Sequence, residues 1–287
     1  MNSMINVAVN AAMKSTVATD ALSNPAAVSD GAHLLTLDES LSLLASPDTQ
    51  RPLRQEGARL LAEGECFEIR DGVALLVPSR LQPYLAKDGI RVPPDYGNDA
   101  LLQYARISAI KQNGGDANSD HNDVWYRRHV EWSRELLRDA SGDVLDIGCD
   151  SPRLSATFFP AECRYLGVDP LYASNDEFRL GAMAEFLPVR DASFDGVCFL
   201  TSLDHVFDYK RALAEASRVL KSGGQIYLAS LVWTDRCDLH YDLVHFHHFR
   251  ESQLFDELGE FSVEEVRRYD WKNDSHRTIL YLRGTKA

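Results

Sequence analysis

"VLDIGCDSPRLS", residues 144–155, decides how the chain folds. Val144, Leu145 and Ile147 form a short apolar run that ends at Gly148, which reads as a buried strand entering a tight turn. A loop that cradles a pyrophosphate carries G-x-G-x-x-G, so that backbone amides can approach the phosphates. Here only Gly148 is present, and Asp150, Ser151 and Pro152 follow. Asp accepts a left-handed backbone better than most side chains. Ser151 before Pro152 matches an N-cap followed by proline at the first helical position. The loop is rebuilt and still able to start a helix.

Outward from this stretch, strand-like and helix-like segments alternate. "RYLGVD" (164–169) and "FDGVCFL" (194–200) read as strands, "YKRALAEASRVL" (209–220) as an amphipathic helix, and "GQIYLASLVW" (224–233) as a strand. Such alternation predicts an α/β fold, a Rossmann-like, doubly wound and mostly parallel sheet. The tail, "ESQLFDELGE", "FSVEEVRRYDW" and "RTILYLRG", adds a helix and two strands, with an antiparallel C-terminal strand. Upstream, "DVWYRRHVEWSRELLRDA" (123–140) has helical spacing.

Four parts separate by texture. Residues 1–32 read as a disordered tail, residues 33–82 as a small β-rich module, 83–120 as a linker rich in Pro and Gly, and 121–287 as the α/β domain. Within the module, "FEIRDGVALLV" predicts two strands about an Asp71-Gly72 turn.

In a doubly wound sheet, ligands lie beyond the carboxyl ends of the strands. Asp169 ends the second strand at the spacing where a carboxylate grips a ribose diol. Asp146 and Asp150 would set negative charge beside a phosphate, which disfavours one. A cationic adenosyl compound without phosphates, S-adenosylmethionine, removes the conflict.

The net charge of −13 argues against a nucleic-acid partner. Five scattered cysteines give no disulfide framework and no C-x-x-C pair, and no apolar stretch reads as a membrane span, so a cytoplasmic location is expected.

The motifs resemble those of class I S-adenosylmethionine-dependent methyltransferases, in the group that includes quinone-biosynthesis methyltransferases. "VLDIGC" is similar to its first motif and "GVD" to its acidic second-strand end. "AEFLPVRDASFDGV" (184–197) and "LDHVFDYKRALAEASRVLKSGGQIYL" (203–228) resemble two later segments, in order. The resemblance implies a seven-stranded sheet, S-adenosylmethionine as cofactor, Asp169 on the ribose and Gly148 near the methionine part. It places Met183, Ala184 and Glu185 around the adenine, although Met183 stands where an aspartate is common. Asp146, Cys149, Asp150, Pro170 and Phe199 complete the candidate cofactor set. Asp150 and Pro152 replace the group's glycines, and Ser222 replaces its proline.

Residues 43–81 resemble a small zinc-ribbon module that precedes some bacterial methyltransferases. Ser46-Pro47-Asp48-Thr49 stands where that module has Cys-Pro-x-Cys, and Cys66 alone lies near its second cysteine pair. One thiol does not make a structural zinc site, so a metal-free module is expected.

Candidate catalytic residues are His205, in "LDHV", and His245 and His247, in "HFHHF". The latter run, with His240 nearby, lacks a metal-ligand spacing, so no metal is expected. Methyl transfer to an oxygen, nitrogen or carbon of a small-molecule acceptor is the function expected. The alternatives are an inactive, methyltransferase-like binding or regulatory protein and a nicotinamide-dependent oxidoreductase. Oligomeric state is not readable.

Overall fold

The computed structural model describes residues 31–86, 89–113, 124–170, 177–234, 245–270 and 276–287. The expected tail (1–32) falls almost wholly outside the described residues, as does His240. The N-terminal region supplies strands β1 (His33–Leu34), β2 (Arg54–Glu56), β3 (Arg59–Ala62), β4 (Glu65–Arg70) and β5 (Val73–Leu75), with a short helix α1 (Leu37–Ser40). Thr36 and Glu39 close a capping box on α1. A small hairpin, β6 (Leu85–Ala86) with β7 (Gly89–Ile90), precedes helix α2 (Ala100–Asn113) and helix α3 (Val124–Leu136).

The α/β part then follows as β8 (Asp143–Ile147), α4 (Pro152–Ser155), β9 (Arg164–Val168), β10 (Arg179–Gly181), β11 (Phe194–Leu200), α5 (Tyr209–Val219), β12 (Leu220–Trp233), α6 (Glu251–Glu257), β13 (Phe261–Asp270) and β14 (Arg277–Lys286).

Strand order across the sheet is β13-β14-β12-β11-β8-β9-β10-β5-β4-β3-β2. The strands β8 to β12 pair in parallel, whereas β14 runs antiparallel between β12 and β13. The seven strands from β13 to β10 form the expected mostly parallel set with its antiparallel strand, within a sheet of twelve strands in which β1 also pairs with β9. Order reverses at β8, so the crevice beyond the tips of β8, β9 and β11 is the switch point where such sheets take ligands.

Side-chain alternation fills both faces. Leu145, Ile147, Val197 and Phe199 enter one core layer, while Val144, Cys198 and Tyr165 enter the other. Helix α5 follows from its sequence: Asp208 accepts a hydrogen bond from Arg211 N at its N-terminus, and Ala212, Leu213, Ala216 and Val219 form one buried stripe.

Helix α4 is only one turn, continued by a 3₁₀ turn over Ala156–Phe158. Pro160 forces Phe159 into an extended conformation and stops it. Ser151 occupies the N-cap position beside Pro152, but its side chain makes no capping hydrogen bond.

The N-terminal strands continue the same sheet. β5 pairs in parallel with β10, and Leu44, Leu53, Leu60 and Phe67 join the core layer that contains Leu145 and Leu166. The β4–β5 hairpin turns at Asp71 and Gly72, both with positive φ (51° and 84°), as a type I′ turn requires. Where a zinc ribbon would place its first thiols, Ser46 Oγ accepts from the amides of Asp48 and Thr49 and donates to Glu65 Oε1 (2.9 Å). Thr49 Oγ1 donates to the other oxygen of Glu65 (2.7 Å). Hydrogen bonds on one carboxylate tie this turn to β4.

The segment 83–120, expected as linker, holds α2. Its prolines and glycines flank the helix instead of interrupting it: Asp99 Oδ1 caps the amides of Leu101 and Leu102, and Leu101, Leu102 and Ala105 pack with Val77, Leu81, Ile90 and Met183. An Asp followed by apolar residues at helical spacing was the signal.

Candidate functional site

A cavity of about 330 Å³ opens at the tips of β8, β9 and β11. Its floor is made by Gly148, Asp169 and Ser202, each just past one of those strands. This volume lies at the lower end of the range of about 300–1,000 Å³ typical of small-molecule sites.

The loop after β8 is built as its sequence demands. Gly148 has φ +81°, and its amide and that of Cys149 donate to Val168 O (2.8 and 3.2 Å). A Cβ on Gly148 would lie 2.4 Å from Ser202 Cβ, so a glycine is required on steric grounds as well. Asp150 adopts φ +45°, in the left-handed region. Its amide donates to Asp169 Oδ2 (3.1 Å), and its carbonyl accepts from Arg179 Nη1 (2.9 Å). The first loop is thus clamped to the tip of the second strand.

Of the candidate cofactor residues, Gly148, Asp169, Pro170, Met183, Ala184 and Glu185 line the cavity. Four do not, for identifiable reasons. Asp146 is buried inside the sheet layer, where Tyr165 OH (2.7 Å) and Cys198 Sγ (3.1 Å) donate to its carboxylate. Burial holds that carboxyl above the usual carboxylate range, although both hydrogen bonds oppose the shift. Cys149 packs over Gly167, where a side chain on Gly167 would meet its sulfur at 2.7 Å, and burial pushes its thiol up. Asp150 acts through its backbone. Phe199 is fully buried in the core, because alternation along β11 turns it away from the strand tip.

Glu185 lines the wall, but Oε1 accepts the amides of Phe207 (2.6 Å) and Asp208 (3.0 Å), which leads the chain into α5. Its carboxyl is raised, chiefly by desolvation.

The histidines divide. His205 lines the cavity, and its ring lies 4.9 Å from that of His245. His247 turns away: its Nε2 lies 2.9 Å from Val206 O, and its ring stacks on Phe249. That engagement removes His247 from the candidate catalytic set.

Several lining residues were not singled out from sequence. Thr201, Ser202 and Val206 follow β11, Phe246 comes from the histidine run, and Ile90, Tyr104, Ala105 and Ser108 come from the expected linker. Tyr104 donates to His205 O (2.5 Å) and lies between the rings of Phe207 and Phe246 (5.4 and 4.8 Å). Burial raises its hydroxyl, with the Glu185 charge adding to the effect. No local pattern marks these residues, since their role depends on contacts between distant segments.

Residues 145–228 match a family model described as a methyltransferase domain. A Mycolicibacterium smegmatis protein named "Probable S-adenosylmethionine-dependent methyltransferase" is 33% identical over 116 residues, 37% of this chain and 44% of that protein. An O-methyltransferase of Penicillium expansum is 43% identical over 117 residues, 35% of this chain and 42% of that protein. The chain thus spans about half the length, or less, of these curated relatives.

Among solved structures, the Burkholderia thailandensis 1,6-didemethyltoxoflavin-N1-methyltransferase, with 1,6-didemethyltoxoflavin and S-adenosylhomocysteine bound, shares the fold. Its TM-score is 0.50 at 15% identity, covering 82% of this chain and 99% of that one. Residues 145–228 thus carry a methyltransferase domain.

Proposed function

We propose that this protein transfers the methyl group of S-adenosylmethionine to an oxygen of a small-molecule acceptor. One observation carries the reading: the cavity at the strand tips has Asp169 and Glu185 on its wall and no Lys or Arg among its described lining residues. A diphosphate would find no cation among those residues, whereas a cationic ligand meets the Asp169 carboxylate. The donor set also suits the nucleoside, because a carboxylate at Asp169 accepts both hydroxyls of a ribose. The oxygen acceptor is favoured by relatives named as O-methyltransferases.

Bound S-adenosylmethionine supplies a methyl group already made electrophilic by its sulfonium. The chain's own work is then in-line positioning and exclusion of water. Asp169 and the Asp150 loop hold the adenosyl end, Met183 and Ala184 supply an apolar wall, and Tyr104 and Phe246 close the side toward His205. Transfer breaks the S–C bond and forms O–C, and the acceptor's proton leaves to a base or to solvent.

Calorimetric titration with S-adenosylhomocysteine tests the reading, with NADH as competitor. Micromolar binding that NADH does not displace is expected. Absence of binding at millimolar ligand would instead favour an inactive binding protein, and displacement by NADH an oxidoreductase.

The N-terminal strands are read as a ribbon-like module without metal, supported by the Ser46–Thr49–Glu65 hydrogen bonds in place of thiols. A cytoplasmic location is proposed from cysteine usage. In addition, no described helix is long and apolar enough to cross a membrane. A nucleic-acid acceptor is disfavoured by the net charge of −13.

A further inference from the structure

We infer that Asp204, His205 and His245 form a binding site for one divalent transition-metal ion at the acceptor end of the cavity. Asp204 and His205 are neighbours on the 3₁₀ turn after β11, and His245 arrives from a distant segment. One potential ligand atom from each lies within 4.8 Å of the other two. His205 Nε2 is 3.9 Å from Asp204 Oδ1, and His245 Nε2 is 3.6 Å from Asp204 Oδ2.

These separations are too long for hydrogen bonds, which end near 3.2 Å. They suit donors that share one ion: with metal–ligand bonds of about 2.0–2.2 Å, tetrahedral ligand atoms stand about 3.3–3.6 Å apart. The two distances run to different oxygens of the carboxylate, and the three ligand atoms, within 4.8 Å of one another, would draw in by about 1 Å at the widest pair on binding an ion.

A second, independent observation points the same way. The Asp204 side chain is only 2% exposed, and its Oδ1 has no hydrogen-bond partner among the described residues. A buried carboxylate oxygen without a partner is costly, and a cation removes the cost. The surroundings are also built to hold the three residues together. Asp204 O accepts the amides of Phe246 (2.9 Å) and His247 (3.0 Å), which pins the His245 segment to the turn. Tyr104 OH fixes the carbonyl of His205.

Two imidazoles and one carboxylate, without thiolate, select zinc, iron(II), cobalt or manganese over calcium or magnesium, which prefer all-oxygen sites. Three protein donors leave coordination positions open, as in catalytic sites. Because His205 lines the cavity, those positions serve an acceptor that presents an oxygen donor, such as a phenol or an enol. The use of the ion in catalysis rests on the methyl-transfer reading; its binding does not. The histidine run alone gave no hint of this, since the carboxylate comes from the turn after β11.

The test uses the full-length protein stripped with EDTA and titrated with Co²⁺, followed by its visible ligand-field spectrum, and with Zn²⁺ by calorimetry. One equivalent is expected to bind. The affinity should fall about 100-fold in Asp204→Asn and in His245→Ala, and should stay unchanged in His33→Ala, a surface histidine elsewhere. Absence of Co²⁺ binding up to millimolar metal overturns the site. So does equal affinity in wild type and Asp204→Asn, provided that circular dichroism shows both folded. S-adenosylhomocysteine binding, measured separately in EDTA, distinguishes the two readings. Its survival without metal binding removes only the metal site, and its loss with metal binding intact removes only the methyl-transfer reading.

Discussion

Replacing Gly148 by alanine tests the loop on which the site is built. The backbone there has φ +81°, a region that costs an L side chain about 1–2 kcal/mol. The new Cβ would also stand 2.4 Å from Ser202 Cβ and 2.9 Å from its Oγ, whereas carbon atoms meet comfortably at about 3.5–4.0 Å. Ser202 is held in place, because its Oγ donates to Ile147 O (2.5 Å) and its carbonyl accepts from His205 N (3.0 Å). Overpacking of this kind adds about 1–3 kcal/mol, so Gly148→Ala should lose about 2–5 kcal/mol of a total near 5–15. Ser202→Gly removes the atom that is struck and leaves the φ cost. The pair should therefore couple favourably by about 1–3 kcal/mol in a double-mutant cycle. Urea unfolding of the four proteins, followed by tryptophan fluorescence, gives the cycle. S-adenosylhomocysteine affinity should fall in Gly148→Ala and partly recover in the double variant. Additivity to within about 0.5 kcal/mol would refute the stacking of Gly148 on Ser202.

Asp169→Ala should weaken S-adenosylhomocysteine binding by about 100-fold or more, since it accepts two hydroxyls and hydrogen bonds to a charged acceptor contribute about 1.5–3 kcal/mol each; calorimetry showing a change below twofold would remove Asp169 from the ribose site. Burial lowers His129 to about 4, from 6.5, beside Tyr281 OH (3.0 Å). A base depressed in the folded state gives stability that is complete above pH 6.5 and is lost as pH falls toward 4, about 3 kcal/mol in all. His129→Gln should flatten that part of a urea-midpoint profile, and an unchanged slope would refute the assignment. Asp146 has the opposite sign: its folded value is raised by burial, so stability declines as pH rises from the ordinary value of 3.8 through the raised one. The advantage of Asp146→Asn over wild type should therefore grow across that window, and a difference independent of pH would contradict it. Ser46→Ala should cost about 1–3 kcal/mol in urea melts, because Glu65 and two amides lose their shared partner; a neutral effect would show that apolar packing alone holds the turn.

What could be read in the sequence was local. Asp71-Gly72 specified a turn because both residues tolerate positive φ, and Asp150 specified the left-handed corner of the first loop for the same reason. Helix α5 declared itself through one apolar stripe and an Asp cap. The placement of Asp169 followed from the end of the second strand and its spacing from the first loop. Side-chain facing was harder. Asp146 and Phe199 lie in the right strands, but both point into packed layers, and motif position does not report which way a strand's alternation falls. The helix in 83–120 was hidden because prolines and glycines on both sides outweighed the short run from Asp99 to Ala105. Asp204 was passed over because its meaning depends on His245, which no sequence spacing connects to it.

The same limit explains how the N-terminal region bears on the site. The switch point of such a sheet opens at the strand tips, and methyl transfer as proposed would need water kept out there. Here the cover comes from residues before β8. Ile90, Tyr104, Ala105 and Ser108 form one wall, and the apolar residues of α2 pack against Met183. Tyr104 reaches across to the His205 carbonyl and to the Phe246 ring, so one side chain joins this cover to both segments that carry Asp204, His205 and His245. The sheet is extended by β5 on β10, next to the strand whose following residues, Ala182 to Glu185, form another part of the wall. On the proposed reading, the strand tips would take the adenosyl group and the residues before β8 would meet the acceptor. Substitutions in α2 are therefore the ones that should change the acceptor while leaving S-adenosylhomocysteine binding intact.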